Sequence, residues 1–435
     1  MRGSLALVRC AALGAAQDEA PAPAHPFSAE ELARVFAYSP PPPPPPDPTN
    51  AWADDPAAAR FGQWVFFDER FSGNGTLSCA SCHDPGLGFA DARPLPIASP
   101  AATSEAPVQR HTMSLWNVAH NRWFFWDGRA DSLWAQALIP LEEEREHGGS
   151  RLQYAQLIAR DPELRAAYEA IFGALPALED AERFPREGRP VPEDPEHPHA
   201  RAWASMAPED RAAVDRVFVH LGKAIAAYER LLVSQPAPFD WYVGSLRAGG
   251  PRPNIFGLSA ERGLKLFVGE AGCFQCHHGP LFTDYEFHDA RAPHGLGGDP
   301  NDPGRYRGIE LLRQSPFGVA GAHSDDPEGP QSFLVEFLSP KGHDWGVFKT
   351  PSLRNVATSA PYMHHGQFAE LHDVVRFYST RRGERSAPHA DPLLRPLSLS
   401  EQEIDDLVAF LASLTNTGLP VELLRAPASP RVEAR

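Results

Sequence analysis

Several things are scarce in this chain of 435 residues. No uninterrupted apolar run approaches the ~18 residues that a bilayer-spanning helix needs, so no membrane span is expected. Positive charge is short: 40 Lys and Arg stand against 56 Asp and Glu, a net −16. That balance argues against nucleic acid and anionic membranes as partners and suits attraction of a cationic protein. Methionine is limited to four residues, leaving Met113, Met206 and Met363 after the start. Cysteine is limited to five, yet four of them fall into two copies of one pattern. Proline, by contrast, is abundant at 46 residues, which predicts long ordered loops. The 42% apolar and 22% charged content is that of a soluble globular protein. The length exceeds one ordinary core and predicts two domains.

The start "MRGSLALVRCAALGAA" reads as a short export signal over residues 1–16. Arg2 is its positive start and Gly14-Ala15-Ala16 its cleavage site, although Arg9 interrupts the apolar stretch. Cys10 lies inside it and would be discarded with it; "LVRC" is a poor lipoprotein site. Residues 17–47 read as a Pro-rich disordered linker. The run Pro40–Pro46 favours an extended polyproline II spacer that stays out of a packed core. Folded structure is expected from near Pro48.

The repeated pattern is Cys-x-x-Cys-His: Cys79, Cys82, His83 and Cys273, Cys276, His277. Two thiols three positions apart can add to the two vinyl groups of one haem, and the next histidine then lies beneath the iron. A zinc site would bring its two cysteine pairs within about 15–20 residues, far closer than these. A thioredoxin-like pair would leave the histidines unexplained, and disulfides across two residues would close loops too small to stabilise much. Two covalently bound haem c groups are therefore expected. In a bacterium they place the mature protein outside the cytoplasm, periplasmic or otherwise exported, which agrees with the signal segment.

The flanks predict a mainly α fold of two cytochrome c-like haem domains with little β-sheet. "PAAARFGQWVFFDERFSGNG" before the first motif reads as an amphipathic helix ending in a turn. "LSAERGLKLFVGEAG" before the second repeats that logic, with Ser259 as N-cap. A helix over Asp210–Val233 carries Val214, Phe218, Leu221, Ile225 and Leu232 on one face. The stretch "SLSEQEIDDLVAFLASL" has a capping box, Ser400 to Glu403, and apolar residues at helical spacing. The expected division is an N-terminal haem domain over 48–235, a linker over 236–255 and a C-terminal haem domain over 256–425.

The segments "RFSGNGTLSCASCHDPGLGFAD", "NRWFFWDGRADSLWAQALIPL", "CHHGPLFTD" and "FKTPSLRNVATSAPYMHHGQF" resemble the bacterial di-haem cytochrome c peroxidase family, including its MauG branch. The resemblance runs through most of Pro56 to Leu414. It implies an enzyme that reduces hydrogen peroxide at the haem on His83, with electrons relayed from a six-coordinate haem on His277. The electrons would come from a small electron-transfer protein, a cytochrome c or cupredoxin, or from an unknown protein or organic substrate. By position, Trp126 matches the tryptophan between the haems, Gln136 the distal glutamine and Glu146 the distal glutamate. A carboxylate there can move a proton from one peroxide oxygen to the other. As bare residues, Trp126 would be a core aromatic and Glu146 part of a solvated acidic turn with Glu142, Glu143 and Glu144.

Two departures and one ambiguity follow. The loop after the first motif has no histidine to cap the resting iron, so the first haem is expected to be open from the start. In "Arg110-His111-Thr112-Met113-Ser114", His111 stands where the resemblance expects an asparagine that helps hold calcium. Imidazole is a poor ligand for that hard cation, though Ser359 and Pro361 would still offer carbonyls for a calcium ion. For the second iron's far ligand, Met363 is the one methionine after the second motif, whereas the register of the resemblance points to Tyr378. Tyrosine there is the mark of the MauG branch, which oxidises residues on another protein. Against its quinone-forming role stands Ala271, where that branch has a surface tryptophan. A di-haem electron carrier without catalysis is the remaining rival. His288, His294 and His323 have no useful spacing.

Overall fold

The computed structural model describes residues 25–97, 110–295, 298–383 and 391–432; the export segment, Cys10 included, lies outside them. The helices are α1 (Ala29–Ala37), α2 (Pro56–Phe67), α3 (Leu133–Glu142), α4 (Arg151–Arg160), α5 (Pro162–Phe172), α6 (Pro198–Ala204), α7 (Pro208–Glu229) and α8 (Pro238–Arg247). They continue as α9 (Leu258–Val268), α10 (Arg305–Gln314), α11 (Pro330–Glu336), α12 (Leu371–Thr380) and α13 (Glu401–Ala412). The sheet among the described residues is one antiparallel pair, β1 (Phe287–His288) with β2 (Phe348–Lys349). The fold is mainly α, as the sequence predicts.

Two cores form, each around a helix pair crossing at a glycine. At Gly62 of α2 an added Cβ would lie 1.8 Å from the Ala224 carbonyl oxygen of α7. At Gly263 of α9 it would lie 1.9 Å from that of Asp406 in α13. Glycine costs a helix about 1 kcal/mol relative to alanine; here it is the residue that lets the backbones meet. The first core gathers Phe61, Phe66, Trp134, Tyr154, Phe218 and Tyr228, and the second Phe239, Phe256, Phe267, Phe282 and Phe410. α2 starts as expected, with Asp55 accepting from Ala57 N and Ala58 N and proline at the first turn. The capping box of α13 is present. The N-cap of α9 is Gly257 rather than Ser259, because the Ser259 hydroxyl donates across to Asp406 at 2.5 Å.

The halves repeat beyond their helix pairs. Asn117 and Asn355 both adopt left-handed backbone, φ 59° and 60°, each starting a short 3-10 turn. Both donate from Nδ2 to the same Ser234 hydroxyl oxygen, at 2.7 and 2.9 Å. Each is followed by a loop closed by a bridge, Phe124 to Ala130 and Tyr362 to Phe368.

Three sequence expectations need correction. Residues 17–47 are not a disordered linker where described: Ser28 and Glu31 form a capping box for α1, and Phe27, Val35 and Tyr38 are buried in the second core. Leu32, Val35 and Phe36 carry the helical period that the proline-rich composition obscured. The expected linker over 236–255 contains α8, whose Phe239, Tyr242 and Val243 are also in the second core. At the other end, Leu419, Leu423 and Leu424 leave the second half and pack on the first core. There Tyr228 donates its hydroxyl to Leu423 O at 2.6 Å, and Gln63 Nε2 donates to Arg425 O at 2.8 Å. Each end of the described residues is thus fastened to the far half.

Candidate active site

Each Cys-x-x-Cys-His motif begins with one 3-10 turn, Cys79–Ser81 and Cys273–Gln275. The turn brings the histidine amide back onto the first cysteine carbonyl, at 2.9 Å in both motifs. Each imidazole is then fixed through Nδ1, His83 on Phe89 O at 3.0 Å and His277 on Phe282 O at 2.9 Å. With the Nδ1 proton on a carbonyl, Nε2 keeps its lone pair for a metal. Burial pushes both imidazoles below their ordinary pKa, towards that neutral form. The four cysteines are free thiols, half-buried beside their histidines. Two thiols and a neutral, oriented imidazole fit a haem at each motif. Among the described residues, the one compact group of potential metal ligands is Cys276, Asp284 and His288. It includes nothing from Cys79–His83, so the two motifs do not converge on one centre, and its His288 is paired 2.8 Å from Asp284 and 2.6 Å from Asp391.

Glu146 stands in a turn folded back on α3. His147 N donates to Pro140 O at 3.1 Å, Gly149 N to Leu141 O at 3.0 Å, and Gly148 takes φ 64°. The turn is pinned to the chain leading into the first motif: His147 Nδ1 lies 2.7 Å from Phe71 O, and Gly73 N donates to His147 O at 2.8 Å. The Glu146 carboxyl is close enough to Cys79 and Cys82 to raise the pKa of both thiols. Burial raises its own pKa, opposed by Arg129 and assisted by Glu143. Its neighbours part company with it: Glu142 binds Arg151 at 2.6 Å, Glu143 binds Arg145 at 2.6 Å, and Glu144 faces Arg189 at 3.4 Å. Gln136 is half-buried on the same α3.

Trp126 lies where the halves meet. Its indole Nε1 donates to His111 O at 2.8 Å, and its carbonyl accepts from Lys349 N at 2.8 Å. Its ring stands edge-on to His364, centroids 6.4 Å apart. The next residue, Asp127, bonds Arg110 at 2.5 Å, and Arg110 bonds Asp302 at 2.7 Å. Lys349 is buried with its ammonium on Trp123 O at 2.9 Å, and burial pulls its pKa down to about 7. The 285–347 segment covers this junction, with the Arg305 guanidinium 4.6 Å from the Trp123 ring.

Tyr378, on α12, is drawn to the second motif: Cys276 and Cys273 act on its phenol, and burial, the main cause, raises its pKa to about 12. Met363 sits in a left-handed turn, φ 70°, beside His364. The residues around Ser359 and Pro361 do not fit calcium. His111 Nδ1 lies 2.7 Å from Arg93 O, and the backbone of Ser359 bonds the same ring. An imidazole, a poor ligand for that cation, already meets Ser359, one of the two residues whose carbonyls calcium would use.

Two residues escaped the sequence reading. Glu229 is 4% exposed, near Cys79, with Oε2 lacking a hydrogen-bond partner, and burial raises its pKa to about 8. A signal existed: it follows Ile225 by four positions, onto the apolar face of α7. Tyr38 donates its hydroxyl to His277 O at 2.9 Å from within the supposed disordered linker.

Comparison with known proteins agrees with this geometry. Residues 56–247 match the family model described as di-haem cytochrome c peroxidase. The chain is 33% identical over 373 residues to cytochrome-c peroxidase IdrP1 of Denitromonas iodatirespirans, covering 84% of each. It is 30% identical to methylamine utilization protein MauG of Methylorubrum extorquens, over 86% of this chain and 82% of that one. Among solved structures it resembles the diheme peroxidase BthA of Burkholderia thailandensis, with a TM-score of 0.58 and 27% identity, over 90% of this chain and 93% of that one.

Proposed function

Because this chain belongs to the di-haem cytochrome c peroxidase and MauG family, we propose that it reduces hydrogen peroxide at the first motif with electrons passed from the second. It is a peroxidase-type oxidoreductase. The observation that carries the division of labour is Glu146, a carboxyl raised in pKa by burial beside Cys79 and Cys82. Haem c held covalently by Cys79, Cys82 and His83, and by Cys273, Cys276 and His277, would supply the iron that accepts peroxide and the electrons that reduce it.

Glu146 takes the proton from the peroxide oxygen nearest the first site and returns it to the far oxygen, which leaves as water. Two protons and two electrons then complete the conversion of one peroxide to two waters. The raised pKa eases the acid half of that cycle, while Arg129 keeps the carboxylate form accessible. The Gln136 amide would orient the peroxide. Trp126, bonded to His111 on one side and facing His364 on the other, carries electrons between the halves. Tyr378 would help hold the second haem's iron, with Met363 as the alternative. The His111 imidazole takes the bridging place of calcium. The protein is exported, and its acidic charge draws a cationic cytochrome c or cupredoxin as donor.

A second reading, MauG-like oxidation of a protein or organic substrate, is favoured by Tyr378. Ala271, 8% exposed, supplies none of the surface tryptophan associated with quinone formation. The test uses protein from a host competent in cytochrome c maturation. Two haems should resist acid-acetone extraction, one should remain in Cys79→Ala/Cys82→Ala, and that variant should lose peroxide turnover with a reduced cytochrome or cupredoxin. Fully extractable haem, or turnover retained by the variant, would overturn the assignment.

A further inference from the structure

The arm formed by α1 and the residues just after it does more than cover apolar surface. Tyr38 donates its hydroxyl to His277 O at 2.9 Å, and its ring stacks on Phe282, centroids 4.5 Å apart and 18° from parallel. Phe282 is the residue whose carbonyl holds His277 Nδ1. Tyr38 therefore grips both anchors of one imidazole, its main-chain end and the acceptor of its ring proton. Its own place is fixed: it is 2% exposed, and Arg354 Nη2 donates to its carbonyl at 2.9 Å.

The rest of the arm reinforces that grip. Arg34 donates to Val268 O at 2.6 Å, and its guanidinium lies 3.9 Å from the ring of Phe274, between the two motif cysteines. Lys265 binds Glu31 at 2.7 Å. Beyond the prolines the chain is caught by the first half, where Arg230 Nη1 donates to Pro45 O at 2.9 Å and Asn50 Nδ2 donates to Lys223 O at 3.0 Å. At the first motif the equivalent support comes from that same half: Phe89, which holds His83, packs edge-on against Trp116 at 5.5 Å.

We propose that Tyr38 is a positioning residue for the proximal histidine of the second haem, so that the arm sets the electronic state of that iron without acting on the first. This rests on the haem assignment made above. An imidazole's orientation and the hydrogen bond on its far nitrogen are the levers by which a protein tunes a bound metal. Tyr38 controls the position of the group that makes that bond.

The test compares the holoprotein with Tyr38→Phe, which keeps the stack and loses the hydroxyl, and Tyr38→Leu, which loses both. Haem content after acid-acetone extraction is measured first; extractable haem in the wild type defeats the haem assignment, and this proposal falls with it, whereas the outcomes below bear on this proposal alone. Electron paramagnetic resonance and a redox titration then resolve the two haems. The second haem's signals should broaden and its midpoint potential shift, more in Tyr38→Leu than in Tyr38→Phe. The first haem should be unchanged, and the melting temperature of Tyr38→Phe should match the wild type. An unaltered second haem in folded Tyr38→Phe would overturn the proposal, as would equal changes at both haems. If Tyr38→Leu does not fold, the Tyr38→Phe result decides.

Discussion

Around Cys79–His83, burial pushes two glutamates, Glu146 and Glu229, towards their neutral forms. Buried phenols stand near both motifs, Tyr154 and Tyr228 by Cys79 and Tyr38 and Tyr378 by the second, but at the second the nearby acid, Asp284, is bound to His288. Yet the motifs themselves share the same turn, the same main-chain bond at 2.9 Å and the same carbonyl grip on Nδ1. On the proposed haem assignment, attachment is a property of five residues, while chemistry is a property of what the two halves bring to them. A carboxyl of raised pKa can trade protons near neutral pH. A buried phenol near pKa 12 cannot, unless a metal ion takes the proton's place. On the proposed reading, one site is furnished for proton transfer and the other for ligation.

The sharpest way to break this contrast is Glu146→Gln. It should keep both haems and slow peroxide reduction by about 10²–10⁴-fold, the loss typical of a general acid–base group. The pH profile adds a second reading. The base form disappears as pH falls through the raised pKa, so wild-type kcat/KM should decline on acidification above the ordinary carboxylate range. The variant should lack that limb; a retained limb would assign it to another group.

Next in size is the second site. Tyr378→Phe should abolish the tyrosinate-type low-spin signal while leaving the first haem's resonances in place, and Met363→Leu should alter neither. The reverse pattern, measured by the same spectra, would make Met363 the ligand and erase half of the contrast. The smallest effect concerns the junction. Chelation with EGTA should leave turnover unchanged in the wild type if, as proposed, the His111 ring beside Arg93 O and Ser359 takes the place of calcium. His111→Asn should create chelator sensitivity; stoichiometric calcium in the wild type by metal analysis would refute the imidazole bridge.

Much of this was legible in one dimension. The Cys-x-x-Cys-His pairs, the helix before each and the Ser400–Glu403 capping box rest on short-range patterns, and all appear in the fold. Glu146 was not legible from spacing: it differs from Glu142, Glu143 and Glu144 only in the company that its neighbours keep with arginines. The family resemblance, not the residues, selected it. Composition misled at the amino-terminal end, where prolines concealed the period of Leu32, Val35 and Phe36. Tyr38 acts on a residue 239 positions away, a pairing that no local pattern encodes. Ser234 shows the same limit, since a lone serine gives no hint that two asparagines from repeated loops share its hydroxyl.

The reach of Tyr38 also orders events in time. An exported chain delivers the arm well before the second Cys-x-x-Cys-His motif, so the arm has no docking site until Cys273–His277 follows it. Once the motif emerges, Phe274 and His277 lack the contacts of Arg34 and Tyr38 until the arm docks. That interval is a natural window for attaching the second haem. Docking of the arm then acts as the final latch, made from the oldest part of the chain.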